Sequence, residues 1–384
     1  MAFYLALMFY CVFVSQFMAD KPYVSRKNSA SLYRRRIVSF VSIAAFYVFV
    51  VGFRYNVGAD WPTYYETYST LKSFGKYILD DPDIGFYWLN AFAAHWNLGF
   101  YFVLGTVAFL TVYYLIRAVS YTSFLLPFYF FFFFTVIFNE SLNVMRQILA
   151  YFALYYAVVL FLNRRFRRGA IVFLIAWSFH KSALFAVTYL PFLYYHPFKN
   201  CKLNIIMVLT GFLLGEILYE YFKELIFAYS ALLSGSRFGG AISESGFGYF
   251  EYIAVDWNAQ IAKYVHLAIT IAIIWMTPTM QRLYRNFYYD FFFSLFMVGQ
   301  ILQPILIWHS MFQRLNYYFY LYTILFLAFL CYSLWHYKVT RFGFFCQRSI
   351  VIGICLIHLV LHIKHIIQGT AFLPYKNYIL DIMK

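Results

Sequence analysis

Charge is what this sequence has least of. Of its 384 residues only 12% are charged and 15 are acidic, whereas a water-soluble protein keeps about a quarter of its residues charged to cover its surface. That shortage excludes a soluble globular enzyme. Cysteine is sparse too. Cys11, Cys201, Cys331, Cys346 and Cys355 show neither paired nor metal-type spacing, so a disulfide framework and a thiolate metal site are not expected. Internal repeats and low-complexity tails are absent. Abundant instead are apolar residues, 64% of the chain, and aromatic ones, 25%, with 49 Phe and 39 Tyr. The reading is an all-α polytopic membrane protein, with 1–384 forming a single integral membrane domain.

A helix needs about 20 apolar residues to cross a bilayer, and fewer if its ends snorkel. On that measure twelve spans are expected, near 1–18, 37–53, 99–116, 124–138, 147–162, 169–180, 183–195, 203–221, 263–278, 287–307, 315–335 and 349–363. Segment 84–97 (IGFYWLNAFAAHWN) is apolar but short and interrupted by Asn90 and His95. It reads as re-entrant or interfacial, because a full crossing would put every later basic cluster on the wrong side.

The net charge of +15 comes in short clusters between apolar runs, which encodes topology rather than nucleic-acid binding. With the N-terminus outside, the inner segments 19–36, 117–123, 163–168, 196–202, 279–286 and 336–348 hold 18 of the 30 basic residues. The triple arginine at 34–36 and RRFRR at 164–168 sit in short loops, where the positive-inside bias is strongest. The outer face then carries loops 54–98 and 222–262. The latter has five glycines within 235–248, as befits either a substrate lid or a plain connector.

Cations at the outer ends of apolar spans are the informative residues, since arginine there is costly unless paired or functional. Arg54, Arg146, Lys181 and Arg314 are such residues. In NESLNVMRQ the spacing of Asn139, Asn143 and Arg146 predicts amides and a guanidinium on one helical face. SFHKSAL places His180 beside Lys181 in one outer turn, and WHSMFQRLN places His309 near Arg314 in another. Several guanidinium and imidazole groups on one face make an anion site, and a lipid pyrophosphate of the outer leaflet is the anion that fits. Asp60, Glu66, Asp83 and Glu140 are the carboxylates available as a base or for hydroxyl recognition. His358, His362 and His365 share a helical face with no carboxylate or cysteine beside them, so no metal is assigned, and no cofactor is expected.

Read in order, RYNVGADWPTYY, DIGFYWLN, NESLNVMRQILA, FHKSAL, FQRLNYYF and LPYKNYI resemble the EpsG family of exopolysaccharide polymerases, relatives of the Wzy-type O-antigen polymerases. The agreement runs from residue 52 to 379. The resemblance marks Arg54, Gly58, Asp60, Tyr64, Arg146, Gln147, His180 and Arg314. It implies a GT-C-like fold in the bacterial inner membrane and polymerisation of undecaprenyl-pyrophosphate-linked repeat units at the outer face, with a chain-length regulator an open partner. On that reading Arg146, Arg314 and Arg54 bind pyrophosphate. His180, then Asp60, serves as base, while Asn143, Gln147, Tyr64, Lys181 and His309 bind or orient glycan. The rival from another class is a flippase for the same lipid-linked oligosaccharide, which should show internal repeats and midplane charge. A ligase with a lipid A acceptor and a membrane acyltransferase are further rivals.

Overall fold

The computed structural model describes residues 1–20, 30–75, 83–228, 257–339, 343–368 and 372–382. The glycine-rich stretch 234–250 lies outside them. Among the described residues the chain is helical, with no named strand; an isolated antiparallel bridge joins Arg54 to Asn377. The chain falls into two compact units, Met1–Leu184 with Leu327–Lys384, and Phe185–Phe326.

The first unit contains α1 (Ala2–Ser15), α2 (Ala30–Tyr47), α3 (Trp61–Phe74), α4 (Ile84–His95), α5 (Phe100–Val119), α6 (Leu126–Val136), α7 (Phe138–Asn143), α8 (Met145–Leu162) and α9 (Phe166–Phe179), and later α15 (Phe344–Gln368) and α16 (Tyr378–Ile382). At its centre stands α8, apolar on every side. All but three of its residues (Arg146, Phe161 and Leu162) are buried, as expected of a helix that is hydrophobic all round. It packs against α5 and α9. A turn with a π-helical bond pattern, Val48–Gly52, ends α2. At Gly52 a Cβ would come within 2.8 Å of the Gly105 Cα, so only glycine lets α2 and α5 approach this closely.

The second unit contains most of a 3₁₀ segment (Lys181–Leu193), α10 (Cys201–Ala228), α11 (Trp257–Tyr284), α12 (Tyr289–Leu306) and α13 (Ser310–Tyr320). Helix α14 (Tyr322–His336) runs across the boundary between the units. Here α10 packs on α12, and α13 folds back on it. Gly299 and Gly215 permit close contact in this unit: a Cβ on Gly299 would lie 2.6 Å from the Phe319 carbonyl carbon.

Among the described residues seven helical stretches, not twelve, are long and apolar enough to cross a membrane: Tyr33–Gly52, Phe100–Val136, Met145–Leu162, Cys201–Glu224, Tyr289–Leu306, Phe312–His336 and Phe344–Gln368. The difference has physical causes. Helices α1 and α9 stop after 14 residues, about 21 Å at 1.5 Å per residue, which is short of a hydrocarbon core of about 30 Å. The expected span 183–195 lies largely in a 3₁₀ segment containing Pro191. Helix α11 is long, but Lys263, His266, Thr270, Thr277 and Pro278 dilute its apolar content. The two expected spans at 99–116 and 124–138 belong to one 37-residue stretch, broken by 3₁₀ geometry and a non-helical Thr122 (φ −115°, ψ 42°).

Segment 84–97 forms the 12-residue helix α4, packed on α3, α5 and α9. Phe86, Asn90 and Ala93 face inward, while Trp88, Phe92 and Trp96 are exposed.

Candidate functional site

The loop after α2 is built by borrowing carbonyls. Where the helix ends, its last carbonyls lose their intrahelical partners. Here side chains replace them: Asn377 Nδ2 donates to the Phe49 carbonyl (2.9 Å), the Tyr375 hydroxyl to Val50 (2.9 Å) and Arg54 Nη1 to Val51 (2.7 Å). The C-terminal motif LPYKNYI thus lies against the first one. Tyr55 N donates to Lys376 O at 3.0 Å and Tyr378 N to Phe53 O at 2.8 Å.

Arg54 is only 1% exposed. Beyond Val51 it donates to Val57 O (3.1 Å) and Leu142 O (3.0 Å), so its guanidinium is engaged on three backbone segments. The neighbouring turn is equally tight. Gly58 has φ +99°, and a Cβ there would meet the Leu142 carbonyl at 2.7 Å. Ala59 N donates to Asn143 Oδ1 (2.7 Å), and the Tyr64 hydroxyl donates to the Asn143 carbonyl (3.1 Å). Pro62 in the first turn of α3 and Gly75 (φ 65°) after its last turn set that helix's limits, with Asp60 at its N-cap.

These contacts explain why Asn139, Asn143 and Arg146 do not share one helical face. The carbonyls of Leu142 and Asn143 are taken by Arg54 and Tyr64, and the helix breaks at Val144 (φ −90°, ψ 48°) between α7 and α8. Asn143 therefore holds the Gly58 turn, whereas Arg146 restarts the helix and points elsewhere.

Its partner is Asp83. Arg146 Nη1 donates to Asp83 Oδ2 at 2.7 Å, and His180 Nδ1 lies 3.2 Å from the same oxygen. The other oxygen, Oδ1, accepts the Lys181 backbone N–H at 3.1 Å. Asp83 sits at the N-cap of α4 yet makes no side-chain cap bond. Its carboxylate is instead turned toward α8 and the end of α9, where His180 adopts an extended backbone (φ −158°, ψ 118°). Gly85 makes this possible, because a Cβ there would lie 2.5 Å from Ser178 Oγ and 3.1 Å from the Ser178 carbonyl carbon. Arg146 also lies over the rings of Phe86 and Tyr64, at 5.2 and 5.5 Å.

The three side chains are graded in exposure: Asp83 2%, Arg146 15% and His180 28%. Burial pushes the Asp83 carboxyl up. The His180 hydrogen bond and charge, the Arg146 charge and the Lys181 N–H outweigh that, and hold it below the usual carboxylate range. The carboxylate is thus a charged hub at the edge of the protein, with a guanidinium and an imidazole facing outward from it. Both side chains remain partly exposed. Arg146 stands at the N-terminus of α8, so it adds its charge to the positive end of a helix dipole. Among the described residues no cluster of histidine, cysteine and carboxylate groups has metal-binding geometry.

Of the residues singled out in the sequence, Arg54, Asp60, Tyr64, Asn143, Arg146, Gln147, His180 and Lys181 belong to the first unit, and Gln147 is buried at the start of α8. His309, 1% exposed with its ring centroid 4.6 Å from that of Phe312, and Arg314, exposed on α13, belong to the second. The central place of Asp83 is the feature not anticipated. Its sequence signal is an aspartate directly before an apolar helix, two residues ahead of Gly85.

The EpsG family model matches residues 37–377. The chain belongs to the EpsG family. That membership points to a membrane polysaccharide polymerase and agrees with the apolar helices of the fold. No curated protein and no solved structure matches the chain.

Proposed function

We propose that this EpsG-family member polymerises lipid-linked repeat units, moving a growing glycan from undecaprenyl pyrophosphate to a hydroxyl of the next lipid-linked unit at the outer face of the bacterial inner membrane. A GT-C-like architecture is part of the same proposal. The single observation that supports it most is the Arg146–Asp83–His180 cluster, at the opposite end of α8 from the RRFRR loop at 164–168. Eighteen residues of helix separate the two ends by about 27 Å, close to the thickness of a hydrocarbon core. With the basic loop inside, the cluster faces outward.

The chemistry follows from the groups. As the bond between the anomeric carbon and the pyrophosphate oxygen breaks, negative charge builds on the departing diphosphate. A preorganised guanidinium aimed at that charge is worth roughly 3–4 kcal/mol by comparison with oxyanion sites. Arg146 fills this role in the first unit; Arg314, in the second, is a candidate for it from its place in the sequence. Asp83 holds the fork of Arg146 and, by accepting from His180 Nδ1–H, fixes the imidazole tautomer that leaves Nε2 free. His180 Nε2 then takes the proton of the acceptor hydroxyl, and Asp83 stabilises the imidazolium that forms. Asp60 is the second choice of base. Arg54, engaged on backbone carbonyls, supports the loop that carries Gly58 and Asp60 rather than touching the diphosphate. Tyr64, Asn143, Gln147 and Lys181 are the candidates of the first unit for binding or orienting glycan, and His309 is a candidate in the second.

The test is complementation of a null strain, with lipid-linked intermediates and polymer length both read. A polymerase null accumulates single repeat units on the outer-leaflet carrier, and Arg146→Lys or Arg314→Lys at normal protein level leaves them short. A null that lacks the outer-leaflet carrier altogether indicates a flippase and overturns the reading. So does full-length polymer from both lysine variants.

A further inference from the structure

The end of the first unit remote from Arg146 holds a cavity of about 500 Å³ that the proposed reaction does not use. It lies where the ends of α1, α5 and α8 meet the first half of α2 and the residues leading into α9. Three guanidinium groups line it, Arg36, Arg117 and Arg165, against one carboxylate, Asp20. Among its described lining residues the excess is therefore two positive charges.

The three arginines differ in how they are satisfied. Arg36 is ion-paired with Asp20, whose second oxygen also accepts the Ser123 hydroxyl at 3.1 Å. Even so, Arg36 Nε is buried without an acceptor. Arg117 donates to the hydroxyl of Tyr156 at 2.9 Å and lies 5.3 Å from that ring's centroid, so an uncharged phenol faces its guanidinium. Arg165 is exposed at the N-cap of α9. Helix ends of both signs meet here: the C-termini of α5 and α8, and the N-terminus of α9. The partial negative charge these ends leave is smaller than the two-charge excess of the guanidinium groups, which therefore set the sign of the potential. The wall is mixed in character. Ile37 and Phe40 of α2 extend the cavity toward the apolar surface of that helix, where Ile37, Val38 and Val41 are exposed.

We propose that this cavity binds the phosphate of an anionic phospholipid, with Arg36, Arg117 and Arg165 as its ligands and the acyl chains running along the exposed face of α2. The volume lies in the range of small-molecule sites. Guanidinium groups pair with phosphate oxygens through a planar fork. Basic recesses between membrane helices on the cytoplasmic side are suited to such headgroups, because anionic lipid concentrates there. A free phosphate offers the same oxygens, but it leaves the Ile37–Val41 surface uncovered. The site is independent of the proposed polymerase reaction.

The experiment uses the purified full-length protein, stripped of lipid in neutral detergent. Retained lipid is counted by native mass spectrometry, and thermal unfolding is followed on addition of phosphatidylglycerol, phosphatidylcholine or inorganic phosphate. Phosphatidylglycerol is expected to bind as one tight equivalent, with phosphatidylcholine about tenfold weaker or more. The pair Arg117→Gln with Arg165→Gln is expected to lose that equivalent, whereas Arg167→Gln with Arg168→Gln, the same charge change outside the cavity, keeps it. Asp20→Asn raises the net charge of the cavity by one and should tighten binding, which keeps the test decisive if the arginine pair fails to fold. Equal loss from both arginine pairs means diffuse surface attraction and overturns the proposal. Equal stabilisation by inorganic phosphate overturns the lipid assignment, and binding unaltered by Asp20→Asn overturns the cavity as its location.

Discussion

The two ends of α8 are built on opposite electrostatic plans. At its N-terminal end a nearly inaccessible carboxylate gathers one guanidinium and one imidazole, so charge is matched within a few ångströms. Beyond its C-terminal end, arginine outnumbers acid, Arg164, Arg165, Arg167 and Arg168 being exposed with no carboxylate in the run. Paired charge costs side-chain freedom but yields fixed geometry, which is what transition-state stabilisation requires. Unpaired charge yields orientation in the membrane and attraction for anions, neither of which needs fixed geometry. The same residue type serves both, and what separates the roles is whether a carboxylate stands behind it.

Substitutions can break that distinction. The largest effect is expected from Arg146→Lys, which keeps the charge but loses the fork shared between Asp83 and a diphosphate. Polymer formation should fall about 10²–10³-fold, while Arg168→Lys at the other end leaves chain length unchanged. His180→Gln should cost about 10²-fold in rate at normal protein abundance, read as glycan transfer to a soluble or lipid-linked acceptor. Arg54→Ala acts on stability instead. It strands three buried carbonyls at about 1–3 kcal/mol each, so the protein should be depleted in the membrane while the residual copies keep their specific activity.

Smaller effects sharpen the comparison. Gly85→Ala should push α4 off α9 through Ser178 and lower activity about tenfold by displacing Asp83, with modest loss of thermal stability. Asp83 also fixes the pH response. Its carboxyl is held below the ordinary value, so the stabilisation it provides is fully present above the unfolded-state value and is lost as pH falls through the depressed one. The melting difference between wild type and Asp83→Asn should therefore shrink as pH falls below about pH 4.

Much of this was legible in the sequence because it is local. Apolar runs and arginine clusters declare themselves within a window of twenty residues, which is why α8 and its basic end were placed from the sequence. Arg146 and His180 stood out as polar residues at the ends of apolar stretches. Asp83 did not, since it meets partners 63 and 97 positions away and sits among other loop acids that look alike. The fate of Arg54 was equally hidden. Only the three-dimensional path brings the Leu142 carbonyl, 88 residues on, to its guanidinium. The number of long apolar helices differs from the expected spans for another reason. Apolarity alone does not set where a helix ends: α9 is apolar but stops at Phe179, where His180 turns toward Asp83.

The measurement that bears most directly on the account is a double-mutant cycle on Asp83→Asn and His180→Gln, with polymerisation assayed on the purified protein in liposomes with a pyrophosphate-linked repeat unit. If Asp83 works by holding His180, the double variant will be no slower than His180→Gln alone. Losses that multiply would mean that the two residues act separately, and the shared-hub account of the site would be contradicted.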